Sequence, residues 1–311
     1  MSSPRVVVAV ICWNCSDDIE RCLAQLQSNS DYDRLEVVVV DNASTDGTRE
    51  WLSAYQQKWF TLTLADRNLG WVGGLNLVLA SHDADHYFFL NPDAFVERGW
   101  LRPLVDALEQ DPRAGFASPK FLYPDGRIHY AGAYIARTGG IRVLGHGEAD
   151  GPFYDLPREI PFAHGQCLVR GEMARELGPF DAQFGIGYYE EVDYQLRAKR
   201  RGWKAVYVPS SVIVHATAQA FKKQPSGFKE ELMIRNWLRV LSLHWPLSTL
   251  VWRLPLELLR PARALREGTD PKPIFRAWKG WFKSIPEMVA RRGQLAKGTP
   301  PVDFSSLGQP D

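Results

Sequence analysis

The stretch "GIGYYEEVDYQLRAKRRGW", residues 185–203, sets Glu190, Glu191 and Asp193 within four positions, between glycines and aromatics on one side and a basic run on the other. Such acids can serve as proton acceptors for a reacting hydroxyl. The composition equally suits an ordinary helix, because acids complement its first turn and bases its last, each contributing about 0.3 to 1 kcal/mol. On a helix spanning 189–200, Val192 and Leu196 share one face and Glu190, Asp193 and Arg197 another, with Glu191 pointing between them. Arg197 then orients an acid by ion pairing. Two more acids end apolar runs. Asp41 closes "LEVVVVD", where it could accept a hydrogen bond from the imide N–H of a uracil or thymine ring. Asp93 in "LNPDAF" is a hard oxygen ligand suited to Mg²⁺ or Mn²⁺, in a turn that Pro92 defines; alternatively it caps a helix within "VERGWLRPLVDALEQ".

These groups need a frame to bring them together. "RVVVAVIC" (5–12), "LEVVVVD" (35–41), "FTLTLA" (60–65) and "HYFFLN" (86–91) read as strands, and helical periods separate them. In "SDDIERCLAQLQS" the residues Ile19, Cys22, Leu23 and Leu26 fall on one face, with Ser16 as a cap. Four β-α units point to an α/β fold, an open and mostly parallel sheet covered by helices. Ligands bind such sheets beyond the carboxyl ends of the strands, which gathers Asn14, Asp41, Asn68, Asn91 and Asp93 around one crevice. Asn and Asp at such ends also make turns and caps. A glycine-rich loop follows at 139–152, then a strand, short helix and turn within 160–181, and "KAVYVPSSVIVH" reads as two short strands around Pro209. The expected domains are residues 1–217, a helical region at 218–297 and a flexible tail at 298–311.

Several function classes fall away. Lys and Arg number 37 against 36 Asp and Glu, so summed charge gives no pull toward nucleic acid. Four cysteines make no disulfide framework and no secretory signal is read, which gives a cytosolic expectation; Cys12 and Cys15 have zinc half-site spacing without a matching pair. The first strand is followed by "CWNCSDD", with neither the G-x-G-x-x-G of dinucleotide binding nor a phosphate-binding P-loop. No apolar run is long enough to span a bilayer.

The motifs "VVVAVICWNCSDDIERCLAQL", "LEVVVVDNASTDGT", "RNLGWVGGLN", "LNPDAF", "HGQCLVRGEMARELGPFDAQF" and "YYEEVDYQLRAKRRGW" resemble, in order and spacing, inverting family 2 glycosyltransferases of the GT-A fold, closest to the rhamnosyltransferase-like branch. The resemblance covers about residues 5–216. It implies a nucleoside-diphosphate sugar donor, dTDP- or UDP-linked, a glycan or lipid-linked saccharide acceptor, and Mg²⁺ or Mn²⁺. Carried over by motif, Asp41 meets the nucleobase and Asn14 lies near the nucleoside. Asn68 lies beneath the diphosphate and sugar, where Gly70, Gly73 and Gly74 admit close backbone approach; the other reading of these glycines is tight helix packing. Asn91-Pro92-Asp93 matches the D-x-D element with its first acid replaced, so the metal rests on Asp93, and His215 completes it or meets the diphosphate. A structural strand-end histidine is the alternative. Glu191, where many relatives carry Asp, becomes the general base, with Asp193 second.

The Q-x-x-R-W element of processive synthases is absent, which implies transfer of one sugar or few. Trp237, Trp245, Trp252, Trp278 and Trp281 beside Arg and Lys suit a membrane surface, peripheral on the inner face of the cell membrane, or else a helical subdomain or homo-oligomer contact. Two other functions compete: a sugar-1-phosphate nucleotidyltransferase, which lacks its glycine-rich, Arg-bearing loop here, and a catalytically silent sugar-nucleotide or glycan-binding subunit.

Overall fold

The computed structural model describes residues 3–55, 59–136, 140–216, 226–257 and 259–308. Its first half alternates strand and helix: β1 (Val6–Cys12), α1 (Ile19–Asn29), β2 (Leu35–Asp41), α2 (Thr48–Ala54), β3 (Thr61–Leu64), α3 (Gly70–Ser81) and β4 (His86–Leu90). β1 runs parallel to both β2 and β4, and β2 runs parallel to β3. Every residue of β1 is buried, because helices cover both faces of a parallel sheet and leave no polar face to alternate with. In α1 the buried residues are Ile19, Cys22, Leu23 and Leu26, the predicted stripe. The helix opens at Asp18, however, not at Ser16.

Beyond β4 the sheet becomes mixed. β5 (Ala94–Val96), α4 (Leu101–Gln110), β6 (Ala114–Leu122), β7 (Ile128–Tyr130), β8 (Ala133–Ile135), β9 (Ile141–Val143), β10 (Arg158–Ile160), β11 (Leu168–Arg170), α5 (Gly171–Leu177), α6 (Glu190–Lys199) and β12 (Lys204–His215) follow. The strand order is β10-β12-β6-β11-β4-β1-β2-β3, with β5 on β12 and β7 on β6. β11 enters antiparallel between β4 and β6. This is the α/β, GT-A architecture the motifs pointed to.

Two local differences from the sequence reading matter for the site. The segment after Asp93 is a strand, β5, antiparallel to β12, and the helix begins only at Leu101; Asp93 therefore caps nothing. The pairing His215↔Ala94 sets the ends of these strands side by side. The stretch around Pro209 is one strand whose register against β6 slips between Val208 and Val212. Proline lacks the N–H a ladder requires, and an irregularity accommodates it without ending the strand.

After β12 come α7 (Phe228–His244), α8 (Leu247–Glu257), α9 (Arg260–Arg266) and α10 (Lys272–Ala296). α7 packs against both α10 and α6, so the helical region leans on the helix that carries the acids. The C-terminal tail also makes contacts with the helical region. Val302 and Leu307 are buried, and the Phe304 ring lies 4.4 Å from that of Trp245.

Candidate functional site

The carboxyl ends of β1 and β4, the loop before α3, the hairpin β8–β9 and the start of α6 enclose one cavity of about 450 Å³. Seven predicted residues meet on its wall: Asn14, Asn68, Gly70, Asn91, Asp93, Glu191 and His215. Asn14 adopts φ 50°, in which its Oδ1 accepts the Thr45 N–H at 2.7 Å, fixing the loop after β2 against the end of β1. Asn68 Oδ1 accepts the Gly70 N–H at 2.8 Å. The Asn91 N–H donates to Gln166 Oε1 at 2.9 Å.

Glu190 and Glu191 face the cavity together at the first turn of α6. Burial raises both carboxyls above the ordinary glutamate value, and the Glu191 charge raises Glu190 further. The Trp71 indole opposes the rise at Glu190 without cancelling it. Glu190 Oε2 is buried without a hydrogen-bond partner among the described residues, and Glu190 is the more strongly raised of the two, which favours a protonated Glu190 beside an ionised Glu191. Two close carboxyls in a desolvated corner hold one proton between them more easily than none. The sequence reading left Glu190 to the helix, and only the fold shows it on the cavity wall. Its signal was its adjacency to Glu191.

The loop that delivers this pair is unusual. Gly185, Gly187, Tyr188 and Tyr189 all have positive φ, the two tyrosines at 70° and 68°. A non-glycine residue in that region costs about 1 to 3 kcal/mol unless its surroundings impose it. The imposition comes from α7: the fully buried Asn236 points its Nδ2 at the carbonyls of Phe184, Gly187 and Tyr188, at 3.2, 2.8 and 3.0 Å. Lys229, near the start of the same helix, also lines the cavity. Neither residue was singled out in the sequence, since nothing local ties α7 to residue 188.

Other predicted residues stand elsewhere. Asp193 is not on the cavity wall: it is buried between Arg197 Nε at 3.0 Å and His244 Nε2 at 2.8 Å. Those partners, Arg197 first, hold its carboxyl well below the usual range against the effect of burial. It ties α6 to α7. Asp41 is likewise fully buried, paired with Arg49 Nε at 2.7 Å and accepting the Ser44 N–H, and it does not line the cavity. Its neighbour Asn42 lines the cavity instead, holding the Leu69 N–H and the Gly70 carbonyl. Gly73 and Gly74 serve helix packing, the other reading considered for them. A Cβ on Gly74 would lie 2.6 Å from Ile11 Cγ2, and one on Gly73 2.6 Å from Leu69 Cβ.

The same cavity also holds an imidazole-rich corner. His215 Nε2 is 3.2 Å from Asp93 Oδ1, and the candidate donor atoms of His129, His164 and His215 all lie within 4.8 Å of one another. Burial pushes His129 down to about 3, with the neighbouring His215 and His146 adding to the shift, and burial also holds His164 well below the ordinary value. Neutral imidazoles and a carboxylate form a donor set that fits a divalent ion. His129 Nδ1, His215 Nδ1 and Gln166 Nε2 are buried without a hydrogen-bond partner among the described residues, as groups awaiting a ligand would be. Cys12 and Cys15 are buried and free.

Comparison with known proteins agrees with this geometry. A model described as glycosyl transferase family 2 matches residues 7–177. The N-acetylglucosaminyl-diphospho-decaprenol L-rhamnosyltransferase of Mycobacterium tuberculosis (strain ATCC 25618 / H37Rv) is 28% identical over 288 residues, covering 83% of this chain and 90% of that protein. The low-salt glycan biosynthesis hexosyltransferase Agl10 of Haloferax volcanii is 27% identical over 203 residues, 62% of this chain and 61% of that one. Among solved structures, GalNAc-T7 with UDP, GalNAc and Mn²⁺ superposes with a TM-score of 0.67 at 17% identity, over 92% of this chain and 57% of that one. The mannosyltransferase PcManGT from Pyrobaculum calidifontis with GDP-Man and Mn²⁺ gives 0.52 at 22% identity, over 99% of this chain and 79% of that one. At these identities the likeness shows the fold, which both share with this chain.

Proposed function

The chain belongs to glycosyl transferase family 2, and from that premise we propose that this glycosyltransferase moves one L-rhamnose from a dTDP- or UDP-linked donor to a lipid-linked saccharide, with inversion. The observation that carries the reading is a single cavity lined by Glu190, Glu191, Asp93 and His215. The carboxylate of Glu191 takes the proton of the acceptor hydroxyl, whose oxygen attacks the anomeric carbon from the face opposite the nucleotide. The bond to the diphosphate breaks as the new bond forms, so one carboxylate suffices and no second acid is needed. Glu190 keeps its own proton beside the ionised Glu191. Asn14 and Asn42 offer amide groups to the nucleoside, and Asn68 lies beneath the sugar. Asp93 and His215 would hold Mg²⁺ or Mn²⁺, which supplies positive charge for the departing diphosphate.

The choice of rhamnose and of a lipid-linked acceptor follows the name of the mycobacterial relative, which covers most of both chains. Incubating the protein with dTDP-L-rhamnose, UDP-sugars and GDP-mannose, with an undecaprenyl- or decaprenyl-diphosphate saccharide and Mn²⁺, tests it. Release of dTDP or UDP with a rhamnosylated lipid product is the expected result. Turnover of GDP-mannose alone would refute the donor, and tight nucleotide binding without turnover of any donor would favour a binding subunit.

A lipid-linked acceptor calls for a membrane surface. No helix of the described residues is long and apolar enough to cross a membrane. The exposed apolar side chains of α8 and α9, among them Leu247, Val251, Trp252, Leu256 and Leu265, stand beside Arg253, Arg263 and Arg266 and suit an anionic bilayer. Three of the other four tryptophans do not contribute as the sequence suggested, since Trp237, Trp245 and Trp281 are buried, while Trp278 is half-buried. Co-sedimentation with phosphatidylglycerol vesicles, lost in a Val251→Glu, Trp252→Glu variant, is the expected behaviour. Equal sedimentation of the variant would refute it.

A further inference from the structure

Asp93 and His215 supply only two protein donors, yet a third side chain converges on them from a segment outside every motif of the sequence. β7 hydrogen-bonds to β6 through Phe121↔Tyr130, and β6 pairs in turn with the end of β12 that carries His215. This brings the His129 ring centroid to 5.0 Å from that of His215, on the same cavity wall. Two donors at right angles on an ion at about 2.1 Å are about 3 Å apart, and donors on opposite sides about 4.2 Å apart. The 3.2 Å between His215 Nε2 and Asp93 Oδ1 matches the first separation, and a histidine donor spread within 4.8 Å closes to the second with small side-chain movement.

His164 belongs to the same group, but its bonding gives it another role. Its Nδ1 accepts the Gln166 N–H at 3.1 Å, so a neutral ring carries its proton on Nε2 and donates there. His129 has no such tie: its Nδ1 is buried and unpartnered among the described residues.

We propose that His129 is the third protein ligand of the divalent ion, with Asp93 and His215, and that this two-imidazole, one-carboxylate set selects Mn²⁺ or Co²⁺ over Mg²⁺. His164 stands beside the ion as an N–H donor to an anionic oxygen. The proposal rests on the metal-assisted reading of this site. Three protein donors, two of them nitrogen, suit borderline cations, whereas Mg²⁺ favours oxygen ligands and keeps its waters. Such a site also binds its ion before any nucleotide arrives.

The test uses the full chain stripped with a chelator and titrated with Mn²⁺, Co²⁺ and Mg²⁺ alone, without nucleotide, by equilibrium dialysis. Mn²⁺ and Co²⁺ should bind at least about tenfold more tightly than Mg²⁺, and pulsed EPR of the Mn²⁺ form should show coupling to two imidazole nitrogens. His129→Ala should raise the Co²⁺ Kd by about tenfold or more and leave one coupled nitrogen, while His164→Ala keeps both. The spectrum of the unaltered protein counts the imidazoles even if the His129 variant fails to fold. A single coupled nitrogen there, an unchanged Kd in His129→Ala, or no binding of Mn²⁺ or Co²⁺ without nucleotide would each overturn the assignment. Donor turnover accompanying any of those results would leave the glycosyltransferase reading intact.

Discussion

The two walls of the cavity are built in opposite ways. On one, Asn14, Asn91 and Asp93 ride on the ends of β1 and β4, strands locked into a parallel ladder whose register leaves each end one position to occupy. On the other, Glu190 and Glu191 follow a loop with four left-handed residues, held by an asparagine from a helix 48 to 52 residues further along the chain. The regular wall rests mainly on the backbone ladder of its strands, with further support from Gln166 at the Asn91 N–H and from Ser44 and Thr45 around Asn14. The irregular wall carries the proposed base, Glu191, and its loop carbonyls take their donors from Asn236 of α7. The helical region is therefore part of the reaction site's construction, whatever surface its outer face meets.

The sharpest way to separate the walls is Glu191→Gln. Turnover should fall about 10² to 10⁴-fold, the range of a lost general base, while nucleotide affinity measured by calorimetry stays within a few-fold. Undiminished turnover would remove Glu191 from the chemistry. In the unaltered enzyme, kcat should rise with pH through a value above the ordinary glutamate range, since burial raises the Glu191 carboxyl and only its ionised form accepts a proton. The limb should vanish in Glu191→Gln.

Asp193→Asn probes the same turn for stability instead. It leaves the buried Arg197 without its counter-charge, and chemical denaturation should show a loss of about 3 kcal/mol at neutral pH. The sign with pH is fixed by the depressed carboxyl. Its contribution is complete above the unfolded aspartate value, about 3.9, and fades as pH falls toward the folded one. Variant and parent should thus converge in acid, and divergence there would contradict the pairing.

Asn236→Ala tests the support for the irregular wall. The loop should lose about 1 to 3 kcal/mol of local stability, read as faster amide exchange at 185–189, with kcat falling about 10-fold or more and donor KM little changed. A change confined to KM would place Asn236 on the donor side. The smallest effect is expected on the regular wall. Gly74→Ala presses a methyl against Ile11 and should cost about 1 to 3 kcal/mol in unfolding with unaltered kcat. A changed kcat would mean that α3 reports directly to the reacting atoms.

Much of the frame was legible because its signals are local. The unbroken valines of β1, the apolar stripe of α1 and the turn residues after β2 and β4 each announce their element within a few positions. Glu191, Asp93 and His215 were legible as members of motifs. Asp41 and Asp193 were misplaced for one physical reason: an acid at a strand or helix end looks the same whether it faces ligand or salt bridge, and Arg49 and His244 decide the matter from other elements. Helical periodicity set Glu190 on a face with Asp193 and Arg197, but it does not say which side chains meet a cavity, and Glu190 lines one.

Residue order by itself determined the alternation of strand and helix, the crevice at the strand ends and the membership of this chain in its family, since periodicity and turn chemistry are written in neighbouring residues. Tertiary structure alone decided that His129 approaches His215, that Asn236 holds the loop before Glu190, and which acids are paired rather than available. Those relations span from 4 to 86 positions and rest on burial and partner geometry, quantities that exist only once the sheet has brought its distant segments together.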